Sequence, residues 1–115
     1  MLKSADQMRA ELRQQMRGGD GEVCILHFLE AQELGGPVRL AAKLTLGPGC
    51  SIGPHVHEGE QELFYVTSGS GVYLDNGTEK PFGTGDSMLC GAGERHGVRN
   101  TGESPLEILA VIVTL

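Results

Sequence analysis

At 115 residues the chain is close to the commonest size of a single domain, and its formal net charge of -6 with no basic cluster excludes nucleic acid and anionic membrane as principal partners. Eighteen glycines, no tryptophan and few other aromatics fit many short strands joined by tight turns, an all-β sandwich or barrel. No apolar run approaches the roughly 20 residues that span a bilayer, and the N-terminal segment lacks the apolar core of a signal peptide, so the expectation is a cytoplasmic protein with no membrane partner.

In chain order, Ser4-Ala5-Asp6-Gln7 reads as a capping box, and Ala5, Met8, Leu12 and Met16 recur at helical spacing before Gly18-Gly19. This predicts an amphipathic helical extension over 1–19 whose methionines pack against the remaining domain, 20–115, or against a partner subunit. Val23–Leu29 reads as a first strand carrying His27, a structural histidine. After the break at Gly35-Gly36-Pro37, residues 38–46 alternate, with Val38, Leu40, Ala42, Leu44 and Leu46 on the core face and Arg39 and Lys43 on a solvated one. Asn76-Gly77 between Val72–Asp75 and Thr78–Lys80 is the strongest short hairpin signal in the chain, and Pro81 marks an edge or a strand end. The last run, Leu106–Leu115, is apolar on both faces, which predicts that a second subunit covers its outer side. Cys24, Cys50 and Cys90 are odd in number and widely spaced, so they form neither a disulfide framework nor a zinc motif and read as reduced packing thiols.

The functional signal lies between these elements. His55 and His57 are two residues apart and so project from one face of a strand. Glu58-Gly59-Glu60-Gln61 is a plausible turn, after which the alternating run from Glu62 returns a carboxylate on the neighbouring strand. His96 follows the turn Gly91-Ala92-Gly93-Glu94 and shares a face with Val98 and Asn100. Three imidazoles and one carboxylate suit one divalent first-row metal per chain, iron, manganese, nickel, cobalt, copper or zinc, whereas calcium would require more oxygens.

These residues carry a resemblance to the cupin superfamily. The stretch Gly49-CSIGP-His55-Val56-His57-EGEQ-Glu62-LFYVTS-Gly69 matches its first motif, and Gly85-DSMLC-Gly91-Ala92-Gly93-ER-His96-GVR-Asn100 matches the second, except that Gly91 stands where the family has proline. The resemblance implies a double-stranded β-helix, or jelly-roll barrel, a metal held by His55, His57, Glu62 and His96, and dimerisation through long apolar strands. The chain has room for one such barrel only. Cupins of this pattern include dioxygenases, decarboxylases and isomerases, and Glu62 separates the site from the three-histidine thiol dioxygenases, which lack an equivalent ligand.

Four protein ligands in an octahedral field leave two positions for water, dioxygen or a bidentate oxygen ligand. The leading expectation is therefore a metalloenzyme with dioxygenase- or decarboxylase-like chemistry on a small oxygen-rich substrate. A metal-dependent binding or sensing module without turnover is the alternative. It draws support from the short stretch between the motifs, which leaves no room for a long lid, and from the lack of an acid or base distinguishable among Glu58, Glu60, Tyr65 and Tyr73. Alternation places Phe64 and Val66 on the cavity face with Glu62, and Tyr65 away from it.

Overall fold

The computed structural model describes all 115 residues. Ten strands form two antiparallel sheets: β1 (Arg9–Gln14), β2 (Glu22–Leu29), β3 (Val38–Leu46), β4 (Ser51–Val56), β5 (Glu60–Ser68), β6 (Ser70–Asp75), β7 (Thr78–Gly83), β8 (Ser87–Cys90), β9 (Arg95–Arg99) and β10 (Leu106–Thr114). Six strands build the larger sheet in the order β1-β2-β3-β10-β5-β8, and four build the smaller in the order β4-β9-β6-β7. This is the jelly-roll arrangement expected from the motifs, in which two sheets pack their inner faces together.

Period-2 alternation decides which side chains enter the core. Along β3 the buried residues are Ala42, Leu44 and Leu46, and along β10 they are Leu106, Ile108, Ala110 and Ile112. All but Ile112 join one cluster with Val23 and Ile25 of β2, Phe64 and Val66 of β5 and, across the gap, Ile52, Tyr73 and Val98 of the smaller sheet. The opposite face of β3 is solvated as expected, with Arg39 paired to Glu60 and Lys43 to Glu107. Asn76 and Gly77 close the β6–β7 hairpin with φ of 49° and 90°, the left-handed pair that a two-residue turn of this hand requires. Pro81 lies on β7, an edge strand, where its missing N–H breaks no ladder.

The N-terminal helix does not form. Residues 5–7 make a single 3-10 turn, in which the Gln7 side chain accepts the Ser4 N–H at 3.1 Å, and the chain then extends as β1 alongside β2. The cause is tertiary. β2 presents an open edge, and β1 satisfies it from Arg9↔His27 to Gln14↔Glu22. Arg9, Glu11 and Arg13 share one face of β1, where Glu11 binds Arg13 at 2.7 Å and His27 at 2.9 Å. The apolar spacing of Ala5, Met8, Leu12 and Met16 therefore does not mark a buried stripe, and Leu12 is 64% exposed. His27 has the structural role expected of it.

Candidate metal centre

The two sheets bring the four ligand candidates to one point inside the barrel. His55 lies on β4 and is the direct cross-strand partner of His96 on β9. His57 follows the end of β4 by one residue, and its backbone pairs with the 91–94 turn through His57 N–H to Glu94 O and Gly93 N–H to His57 O. Glu62 comes from β5 in the larger sheet, between Ile112 of β10 and Cys90 of β8. His57, Glu62 and His96 are buried, while His55 is only partly covered.

The ring orientations are fixed from behind. His55 Nδ1 lies 2.8 Å from the Gly53 carbonyl oxygen, His57 Nδ1 lies 2.7 Å from Glu60 Oε1, and His96 Nδ1 lies 2.9 Å from the Tyr73 hydroxyl. A carbonyl and a carboxylate only accept, so Nδ1 of His55 and His57 is the donor, and each neutral ring turns the lone pair of Nε2 inward. Tyr73 can accept from His96 in the same sense. The three Nε2 atoms then converge, with His96 lying 3.1 Å from His57 and 3.2 Å from His55. Glu62 Oε1 completes the group at 3.0 Å from His57 Nε2 and 3.1 Å from His96 Nε2. The rings meet edge to face with centroids 4.7 to 5.0 Å apart, and Phe64 stacks on His96 at 5.2 Å.

Lone pairs from several imidazoles and a carboxylate repel one another unless a cation sits among them. With metal–nitrogen bonds of about 2.0–2.1 Å, two ligands at right angles about one ion stand ~3.0 Å apart, close to the separations found here. The donor set is mixed nitrogen and oxygen, suited to an intermediate first-row divalent ion. The four residues could hold a metal together, and all four ligand atoms lie within 4.8 Å of one another.

The electrostatics follow from burial and partners. Burial pushes His55 down to about 4, against the opposing effect of the bond its Nδ1–H donates to the Gly53 carbonyl. Without a metal between them, the protonated His57 ring donates to both carboxylates and its pKa is raised, first by Glu62 at Nε2 and also by Glu60 at Nδ1. Burial works against the Glu62 carboxylate, but in the metal-free site N–H donation to it from His57 and His96 outweighs burial and holds the group below the usual carboxylate value. Glu60 is lowered to about 2, chiefly by the two-pronged Arg39 guanidinium. Tyr73 is raised by burial.

The structure brings together all four sequence-predicted residues and adds three supports that sequence reasoning missed. Glu60, placed in a turn by the sequence reading, opens β5 and shares a face with Glu62; the available signal was that two-residue spacing. Tyr73 and Gly53 left no sequence signal, because their contacts depend on which strands neighbour in space. Phe64 and Val66 face inward and Tyr65 outward, as alternation required. The substitution of Gly91 for proline has a local reason: the Gly91 N–H donates to Glu94 Oε1 at 2.7 Å, a bond proline cannot make.

Comparison with known proteins agrees with this architecture. The family model described as "Cupin domain" matches residues 42–112. The oxalate-binding protein of Thermotoga maritima is 42% identical over 115 residues, covering 100% of this chain and 95% of that protein. A crystal structure of a predicted oxalate decarboxylase from Thermotoga maritima superposes with a TM-score of 0.94 at 42% identity, covering 100% of both chains. A polyketide cyclase from Streptomyces resistomycificus shares the fold alone, with a TM-score of 0.77 at 23% identity over 99% of this chain and 80% of that one. With its motifs, its two sheets and these relatives, the chain belongs to the cupin family.

Proposed function

We propose that the protein binds one divalent transition metal through His55, His57, Glu62 and His96 and uses it to hold a small dicarboxylate of the oxalate class. The observation that carries this reading is the convergence of three inward Nε2 atoms and Glu62 Oε1, with each imidazole anchored from behind by a different partner. The metal supplies Lewis acidity, which binds the oxygens of a chelating carboxylate. The oxalate-binding name of the Thermotoga maritima relative supports that ligand class.

Binding without turnover is favoured over the enzyme reading by the chemistry around the site. Decarboxylation leaves an electron pair on carbon that must receive a proton, and a group poised to give one is missing. Glu60 is locked between Arg39 and His57 and is lowered to about 2, so it holds no proton to give, while burial raises Tyr73, whose oxygen accepts from His96, and makes it a poor acid. Titration calorimetry with oxalate on metal-loaded, metal-free and H57A protein tests the reading. Binding that requires the metal and is lost in H57A supports it, while formate and carbon dioxide released from oxalate by the metal-loaded protein would establish turnover instead. H57A is expected to lose metal and stay folded, read by elemental analysis beside circular dichroism.

We also propose a cytoplasmic homodimer built on the outer face of the larger sheet. Leu63, Tyr65 and Leu89 are 47%, 45% and 55% exposed there, and Leu63 pairs directly with both Leu89 and Val111. A contiguous patch of this kind is rarely left to water. The cysteines are unpaired, which accords with a reducing compartment. Light scattering should give twice the chain mass for the wild type and one chain mass for L63E; a monomeric wild type would refute the assembly.

A further inference from the structure

By strand alternation Arg39 and Glu60 do not belong together. Leu40 pairs with Ile112 on β10, and Ile112 pairs in turn with Glu62 on β5, so these three stand in one row across the larger sheet. Glu60 lies two residues before Glu62 and shares its face, whereas Arg39 is next to Leu40 and alternation assigns it to the other face. The register supplies the means of crossing. Ile112 pairs with Leu40 and Val113 with Val38, which leaves Arg39 as an extra residue with no partner on β10. A bulge of this kind bends its strand and re-aims the side chain it carries. From there the guanidinium reaches from β3 to β5, strands that β10 separates in the sheet, and grips both oxygens of the Glu60 carboxylate at 2.5 and 2.6 Å. One of those oxygens, Glu60 Oε1, is the atom 2.7 Å from His57 Nδ1. Glu60 is the first residue of β5 and follows Gly59, whose φ is 67°, and its backbone is fastened there by the Leu115 N–H to the Gly59 carbonyl at 2.9 Å. Its side chain is fixed by Arg39 and His57.

We infer that Arg39 is a positioning residue of the metal centre: its two-pronged grip holds the Glu60 carboxylate at the angle that keeps the His57 proton on Nδ1 and Nε2 pointed at the ion. This rests on the metal-binding part of the reading above and is independent of the ligand the metal takes. The chain of contacts joins β3 and β5 of the larger sheet to the residue that follows β4 of the smaller one. A guanidinium suits the task, since its planar fork fixes the plane of a carboxylate, where an ammonium would hold a single point. Charge alone would act in the opposite sense, because a cation beside the site repels a metal ion, so the two effects differ in sign. The Arg39 side chain is 45% exposed, which leaves its charge open to screening while the contact with Glu60 persists.

The test measures zinc affinity of wild-type, R39M, R39K, E60Q and R39M/E60Q proteins by competition with a chromophoric chelator at pH 8 in about 0.5 M salt, where a Debye length of ~4 Å screens the exposed charge. Methionine keeps an apolar stem of similar length and removes every donor. R39M is expected to bind zinc about three- to tenfold more weakly than wild type, less than the loss of a partner touching the ligand itself, and R39K should fall between the two. Because Arg39 acts through Glu60, adding R39M to E60Q should weaken binding no further. In zinc-loaded protein with nitrogen-15-labelled histidine, the His57 Nδ1–H should exchange with water several-fold faster in R39M. The His55 Nδ1–H, held by the Gly53 carbonyl, should exchange as in wild type. Zinc affinity in R39M within twofold of wild type or tighter, an equal loss in the E60Q background, or full rescue by R39K would overturn the inference and leave the metal reading standing. Faster exchange at both histidines, or loss of fold in both Arg39 variants, would make the contact merely structural and overturn it too. A wild-type protein that takes up neither zinc nor cobalt would overturn both readings together.

Discussion

Replacing Glu60 with glutamine separates the metal centre from the carboxylate behind it. Glu60 Oε1 receives the His57 Nδ1 proton at 2.7 Å while both of its oxygens engage Arg39. The amide oxygen of glutamine can still accept from Nδ1, so His57 keeps its tautomer but loses the negative charge that raises its basicity. Arg39 then stands unneutralised near Glu62, a further penalty on a cation. Loss of such an outer partner costs roughly 10- to 100-fold in metal affinity, about 1.4 to 2.7 kcal/mol at 1.36 kcal/mol per tenfold, and the retained hydrogen bond places the expected loss near the lower end. Competition with a chromophoric chelator for zinc or cobalt at pH 8 measures it. An alkaline pH favours the comparison, because His57 is raised and its proton competes with metal more strongly as pH falls. An E60Q dissociation constant within twofold of wild type would refute the argument that Glu60 tunes the centre.

Two further expectations concern the metal-free fold. His55 is depressed from 6.5 to about 4, so its contribution to stability is present above about pH 6.5 and is lost as pH falls through 4, whereas the raised His57 contributes fully below 6.5 and fades as pH rises through its folded value. In chelator-treated protein, H55Q should therefore lose less stability than wild type between pH 6.5 and 4, measured by urea unfolding; parallel profiles for the two proteins would contradict the assignment. Ile108 is fully buried on β10 between β3 and β5, so I108V should cost about 0.5–1.5 kcal/mol and I108A about 2–5 kcal/mol in the same assay, and a cost below 0.5 kcal/mol for I108A would mean the inter-sheet core is not packed as described.

Legibility in the sequence followed the length scale of the cause. Alternation is local, and β3 and the Asn76-Gly77 hairpin emerge where expected, with the inward face of β10 correctly patterned. The clustering of His55, His57, Glu62 and His96 was legible because these residues lie on or beside strand ends that the two motifs space. The N-terminal segment misled because helical spacing of Ala5, Met8, Leu12 and Met16 is a local pattern, whereas the open edge of β2 that claims residues 9–14 is a property of the assembled sheet. A period-2 sign alternation, Arg9, Glu11 and Arg13, was the competing signal. Tyr73 and Gly53 act on the histidines across strand pairs, and spacing alone cannot announce which strands will neighbour.

The candidate centre also draws its residues from both sheets: His55 and His96 from the smaller, Glu62 from the larger. An ion held there would fasten the two layers like a rivet. Three of the four residues that could hold it are buried, so departure of the ion would wait on the layers parting or on an opening beside His55, the least covered of the four. Metal exchange should then be slow and governed by breathing of the barrel, and the ion acquired first would tend to stay through the lifetime of the protein. Under that regime the metal abundant at the time of folding, rather than the one with the highest affinity, decides which form of the protein exists.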